Sequence, residues 1–101
     1  MEPIDASFEI VKVDEDTWDV LIFADLYILK AFNEVYPNLF YVEESVFKKL
    51  PVVIAPDFPN RAHAATWRAY WQTAFADPDN SCDSCPTVKD LLGRIEKSRN
   101  E

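Results

Sequence analysis

Two cysteines and one histidine are the readiest nucleophiles and metal ligands in this chain, and they limit the chemistry it can do. Cys82 and Cys85 form a Cys-x-x-Cys motif around Asp83 and Ser84. That spacing serves thiol–disulfide exchange when a helix N-terminus or a basic neighbour lowers a thiol pKa. The pair stands just ahead of a helix that Thr87 is expected to cap, but Asp79 and Asp83 oppose thiolate formation. The same motif supplies half of a structural zinc site, which needs four ligands, and His63 is the sole imidazole available to extend it. Zinc deaminases pair His-x-Glu with Pro-Cys-x-x-Cys. Here Ala64 and Ala65 follow His63, and Ser81 precedes Cys82, so both halves of that signature fail. Cys82, Cys85 and His63 are therefore weak metal candidates. The expectation is no metal, no cofactor and no catalytic residue, with a small zinc or thiol-redox domain centred on residues 82–85 as the alternative.

A single glycine rules out the glycine-dependent phosphate loops and the nucleophile elbow of serine hydrolases, since none of these can be written with one Gly. What remains for function is charge. The first 25 residues hold eight carboxylates (Glu2, Asp5, Glu9, Asp14, Glu15, Asp16, Asp19 and Asp25) against Lys12 alone, which is nearly all of the formal charge of −8. The remainder of the chain is close to neutral. One reading is a solvated face that keeps an aromatic-rich protein dispersed. The sharper reading is a docking surface centred on Asp14, Glu15, Asp16 and Asp19, with Asp25 beside it, that imitates a row of phosphates and occupies a basic groove. Calcium is not expected there, because the cluster lacks the glycine and terminal glutamate of an EF-hand loop. The same charge argues against direct contact with DNA, RNA or anionic lipid, which needs Lys and Arg.

The elements that must position these groups follow from the hydrophobic pattern. Residues 7–13 read as a strand broken by Asp14–Thr17. Residues 18–23 fit either the return arm of a hairpin or the start of a helix running to Tyr36; strand propensity favours the hairpin, with a helix from Asp25 to Tyr36 that Pro37 ends. Residues 39–43 read as a strand, 44–50 as a short helical turn, 51–55 as a buried strand, and 56–60 as a turn in which Asp57 or Asn60 caps the next helix. The alanine-rich segment Arg61–Ala76 is a helix closed by Asp77-Pro78. On it His63, Trp67, Tyr70, Trp71, Ala74 and Phe75 share a face, most simply a core face, although Trp67 and Trp71 are also residue types that anchor protein partners. After a polar loop at 77–85, Thr87 opens a last helix with Val88, Leu91, Leu92 and Ile95 inward and Gly93 weakening it.

The 101 residues, with 14 aromatics, make one domain with a frayed tail at 97–101. The class is α+β, with roughly three or four β-strands packed against two or three α-helices. No apolar run is long enough to span a bilayer and the N-terminus is acidic, so the expected compartment is the cytoplasm. The function expected is a non-enzymatic binding module or inhibitor whose partner is a basic, nucleic-acid-binding protein. Small acidic accessory proteins of phages and mobile elements work in this way. The aromatic content leaves a homo-oligomer open.

Overall fold

The computed structural model describes residues 2–45, 48–81 and 86–100. The β-branched run after Asp5 forms β1 (Ala6–Asp14), and the chain reverses through Glu15 and Asp16 into β2 (Thr17–Ala24). The Asp16 N–H donates to Asp14 Oδ1 at 2.9 Å, the local side-chain bond that makes Asp a turn former. Residues 18–24 are thus a hairpin arm, closed by a turn tighter than Asp14–Thr17. Burial explains the choice: Val20, Leu21, Ile22 and Phe23 are consecutive and all buried, which a central strand covered on both faces satisfies and an amphipathic helix does not.

Asp25 then takes an extended conformation and α1 (Leu26–Val35) begins, burying Ile28, Leu29, Ala31 and Phe32 and stopping at Tyr36 ahead of Pro37. Next come β3 (Phe40–Val42) and β4 (Val52–Phe58), followed by α2 (Arg61–Ala76), a one-turn helix α3 (Pro78–Ser81) and α4 (Pro86–Arg99). The four strands form one antiparallel sheet in the order β1-β2-β4-β3. The chain is an α+β fold. No helix among the described residues is long and apolar enough to cross a membrane.

Several expected boundaries move. β4 continues through Pro56 to Phe58, where a turn was expected. It can do so because Val20 pairs with Ala55 but Trp18 with Phe58, so Pro56 and Asp57 both face Asp19 in a bulge, where a missing proline N–H is tolerated. Of the two cap candidates, Asn60 is the cap: its side chain accepts from the His63 N–H at 2.9 Å. Thr87 does not cap the last helix but lies inside it, because Pro86 occupies the first position, where its fixed φ suits a helix start. The polar loop after Asp77 contains α3. Residues 43–45 and 48–50 form bends and a turn rather than a helix. Cys82 and Cys85 lie outside the described residues.

Helices α1 and α2 lie on one face of the sheet, and α4 packs against α1. Phe8, Val20, Ile22, Val53 and Ala55 from the strands meet Phe32, Trp71, Phe75, Leu91 and Ile95 from the helices in one core. Trp71 is fully buried, with the rings of Phe32, Tyr36, Trp67 and Phe75 at 5.1, 6.0, 6.1 and 5.9 Å. On the other face Leu21, Phe23 and Val52 form a smaller apolar group. The ammonium of Lys48 sits 4.7 Å from the Phe23 ring centroid and pairs with Glu9, which places Lys48 over this face.

Two stability measurements check this packing. Trp71→Ala is expected to cost about 3–5 kcal/mol in urea unfolding. Trp71→Phe should cost clearly less, because Trp71 Nε1 is buried without a hydrogen-bond partner among the described residues and the phenylalanine ring removes that donor. Gly93 lies within α4 and a Cβ there meets nothing within 4 Å, so Gly93→Ala should raise stability by about 1 kcal/mol. A Gly93→Ala variant no more stable than the parent would contradict the helical placement of residue 93.

Candidate binding surface at the hairpin end

The acids of the N-terminal segment do not share one surface. Asp14, Glu15 and Asp16 are exposed at the hairpin tip. Asp25 follows Ala24, which pairs with Ala6, so it lies with Asp5 at the opposite end of the sheet, where both line a depression with Leu50 and Pro51. Glu9, midway along β1, is neutralised by Lys48. The expected grouping of Asp25 with Asp14–Asp19 is therefore not what the fold builds.

A different acid takes its place. Asp57 sits in the β4 bulge with φ of 69°, a left-handed conformation that Asp tolerates better than most residues. Its N–H donates to Asp19 Oδ1 at 3.2 Å, which ties the acidic hairpin to β4. Partial burial raises the Asp19 pKa above its ordinary 3.8; the Asp57 N–H works against that shift, and the charges of Asp57 and Asp14 add to it. The charges of Asp14 and Asp57 thus both act at Asp19, which makes the three carboxylates one electrostatic cluster, with Glu15 and Asp16 beside Asp14 at the hairpin tip. Lys12, the nearest base in sequence, holds its ammonium 5.8 Å from the Trp18 ring centroid. Among the described residues no ion pair joins Asp14, Glu15, Asp16, Asp19 or Asp57.

Next to this cluster the end of the sheet is aromatic. Trp18 pairs with Phe58, whose ring lies 5.7 Å from that of Trp67. Phe58 and Trp67 separate two depressions. One, of about 620 Å³, runs along α2 past Pro59, Ala62, His63, Thr66 and Tyr70. The other, of about 480 Å³, lies toward Leu39, Phe40, Pro56 and Asp57. The two tryptophans expected as partner anchors thus divide. Trp67 is partly buried and lines both depressions, whereas Trp71 is enclosed in the core and offers no surface to a partner. His63 is exposed on the wall of the first depression, and among the described residues no three His, Cys, Asp or Glu side chains converge on a point that could hold a metal. The proposed Cys82/Cys85 centre lies outside the described residues.

Asp57 and Phe58 were missed as site residues because a Pro-Asp-Phe-Pro string reads as a turn. The only cue in the sequence was a lone acid followed by an aromatic between two prolines, Pro56 and Pro59. Comparison of the chain with family models, with curated proteins and with solved structures gave no match.

The Asp19–Asp57 clasp has a testable sign. A carboxyl whose folded-state pKa is raised binds more protons folded than unfolded, so its ionisation lowers stability as pH rises from 3.8 through the folded value. Asp19→Asn keeps an acceptor for the Asp57 N–H and removes the charge. It should therefore be at least as stable as the parent at neutral pH in low salt, with the difference shrinking as pH falls below 3.8 or as salt is added. Asp19→Ala loses the acceptor and should be the less stable of the two variants. Urea unfolding across a pH series reads both effects. An Asp19→Asn variant that loses stability at neutral pH while matching the parent in acid would reverse the assigned sign.

Proposed function

We propose that this protein is a binding module without catalytic activity, which lays its hairpin end on a basic surface of a larger protein, one that itself binds nucleic acid. The observation that carries the reading is the cluster of Asp14, Glu15, Asp16, Asp19 and Asp57 at one end of the sheet, with no neutralising ion pair among the described residues. Keeping like charges together raises the free energy of the isolated protein, and a cationic partner recovers it. Carboxylates spaced along a hairpin offer a basic groove what a phosphate backbone offers it, so the protein would compete with nucleic acid for that groove. The cytoplasmic location expected from the sequence belongs to this reading, because nucleic-acid machinery is accessible there.

The test uses the immobilised protein and a lysate of its native host, beside a variant carrying Asp14→Asn, Glu15→Lys and Asp16→Lys. Asn at position 14 keeps the acceptor that shapes the turn. All three side chains are exposed, so unfolding stability should stay within about 1 kcal/mol of the parent. The expected outcome is a basic protein that the parent retains, that elutes with rising salt, that added duplex nucleic acid displaces, and that the variant fails to hold. Retention of the same proteins by parent and variant would sink the proposal.

A further inference from the structure

We propose that the two depressions on either side of Phe58 and Trp67 form one track for an extended peptide segment of the partner, one that carries a lysine or arginine between apolar side chains. The inference rests on the docking reading above and adds what the partner must present. Tyr70, 44% exposed, lies at the α2 end of the track and Phe40, 60% exposed, at the β3 end. Between them the Phe58 and Trp67 rings are shared by both depressions. The wall along α2 is almost wholly apolar, built from Phe58, Pro59, Ala62, Trp67 and Tyr70 with only His63 and Thr66 as polar members.

Charge selects the occupant. Asp57 lines the second depression, and its backbone is fixed by Asp19, so a carboxylate stands in the middle of an aromatic surface. An anionic ligand is repelled there. A purely apolar ligand would strip water from that carboxylate without replacing its hydrogen bonds, which is costly. A lysine or arginine meets both demands: its methylene stem packs on the rings and its head reaches the acid or lies over an aromatic face. Apolar side chains on either side of it fill the two depressions. A second copy of this chain is disfavoured as occupant, because its own hairpin end repeats the same negative field and its acids outnumber its bases 18 to 10.

Selection of a displayed library of short random peptides on the intact protein tests the proposal, with affinities then measured by fluorescence anisotropy. The expected result is a consensus with Lys or Arg flanked by apolar residues. Binding of the selected peptides should weaken about tenfold or more in Asp57→Asn, and likewise in Ala62→Lys, which places a cation in the α2 depression at an exposed position. Circular dichroism confirms that both variants fold. No enrichment, a consensus without a basic residue, or binding unchanged in both variants would overturn the track. A concentration-dependent dimer in sedimentation that Ala62→Lys disperses would assign the surface to self-association and overturn it equally. The two readings fail separately. If no peptide is selected while capture of the host protein still depends on residues 14–16, only the track falls. If peptides bind as expected while capture ignores those residues, the acidic docking reading falls.

Discussion

Two-sided burial of β2 is the constraint from which the rest of the molecule follows. Val20 and Ile22 point into the helix-covered core, and Leu21 and Phe23 into the smaller group on the opposite face. A strand buried on both sides has no place for charge along its length, so its flanking acids fall at its ends: Asp19 beside the hairpin tip and Asp25 before α1. The same constraint places β1 and β4 on either side of β2 and leaves β1 and β3 as the sheet edges. Helices α1 and α2, with α4 packed on α1, then close the larger face, and Lys48 lies over the smaller one.

The aromatic residues grade from core to surface along α2. Trp71 and Phe75 are enclosed by Phe32 and the sheet, one helical turn earlier Trp67 is half-covered, and His63 is exposed. The gradient has a geometric cause. α2 crosses the sheet toward the bulge in β4, where Pro56 and Asp57 push Phe58 out to meet Trp67, and the sheet ends there. An apolar surface at this end is thus a consequence of how the helix overhangs the sheet. The bulge that creates it also supplies the acid beside it. Bulges often re-aim side chains, and here one bulge sets the direction of an aromatic and a carboxylate at once.

Much of the fold was legible from periodicity. The Arg61–Ala76 helix, the inward stripe Val88, Leu91, Leu92 and Ile95, and the stop at Pro37 all follow from local pattern and breaker residues, which act over a few neighbours and need no tertiary information. The hairpin was legible once strand propensity was weighed against a broken helical stripe. The candidate surface was legible only in part. Asp14, Glu15, Asp16 and Asp19 fall within six residues of sequence, so their clustering needs only a turn. Asp57 joins them through strand pairing across almost forty positions, and the loss of Asp25 to the far end is likewise a matter of pairing; composition carries neither. Trp67 and Trp71 occupy one helical face, and their different exposure depends on where the sheet ends beneath α2.

Pairing also changes what the net charge means. β2 has eight residues and spans roughly 25 Å, about three Debye lengths at physiological ionic strength, where that length is about 8 Å. Asp5 and Asp25 are therefore screened from anything bound at the hairpin tip, and Glu9 is already matched by Lys48. A partner docked at the hairpin end, as proposed, would meet the field of Asp14, Glu15, Asp16, Asp19 and Asp57, not that of the whole chain. Such a field acts over one Debye length and falls steeply beyond it. It can steer and orient a cationic surface on approach, but short-range contacts must supply the residence time. Phe58 and Trp67 stand at the same end of the sheet, where the proposed partner would find such contacts within reach of the field.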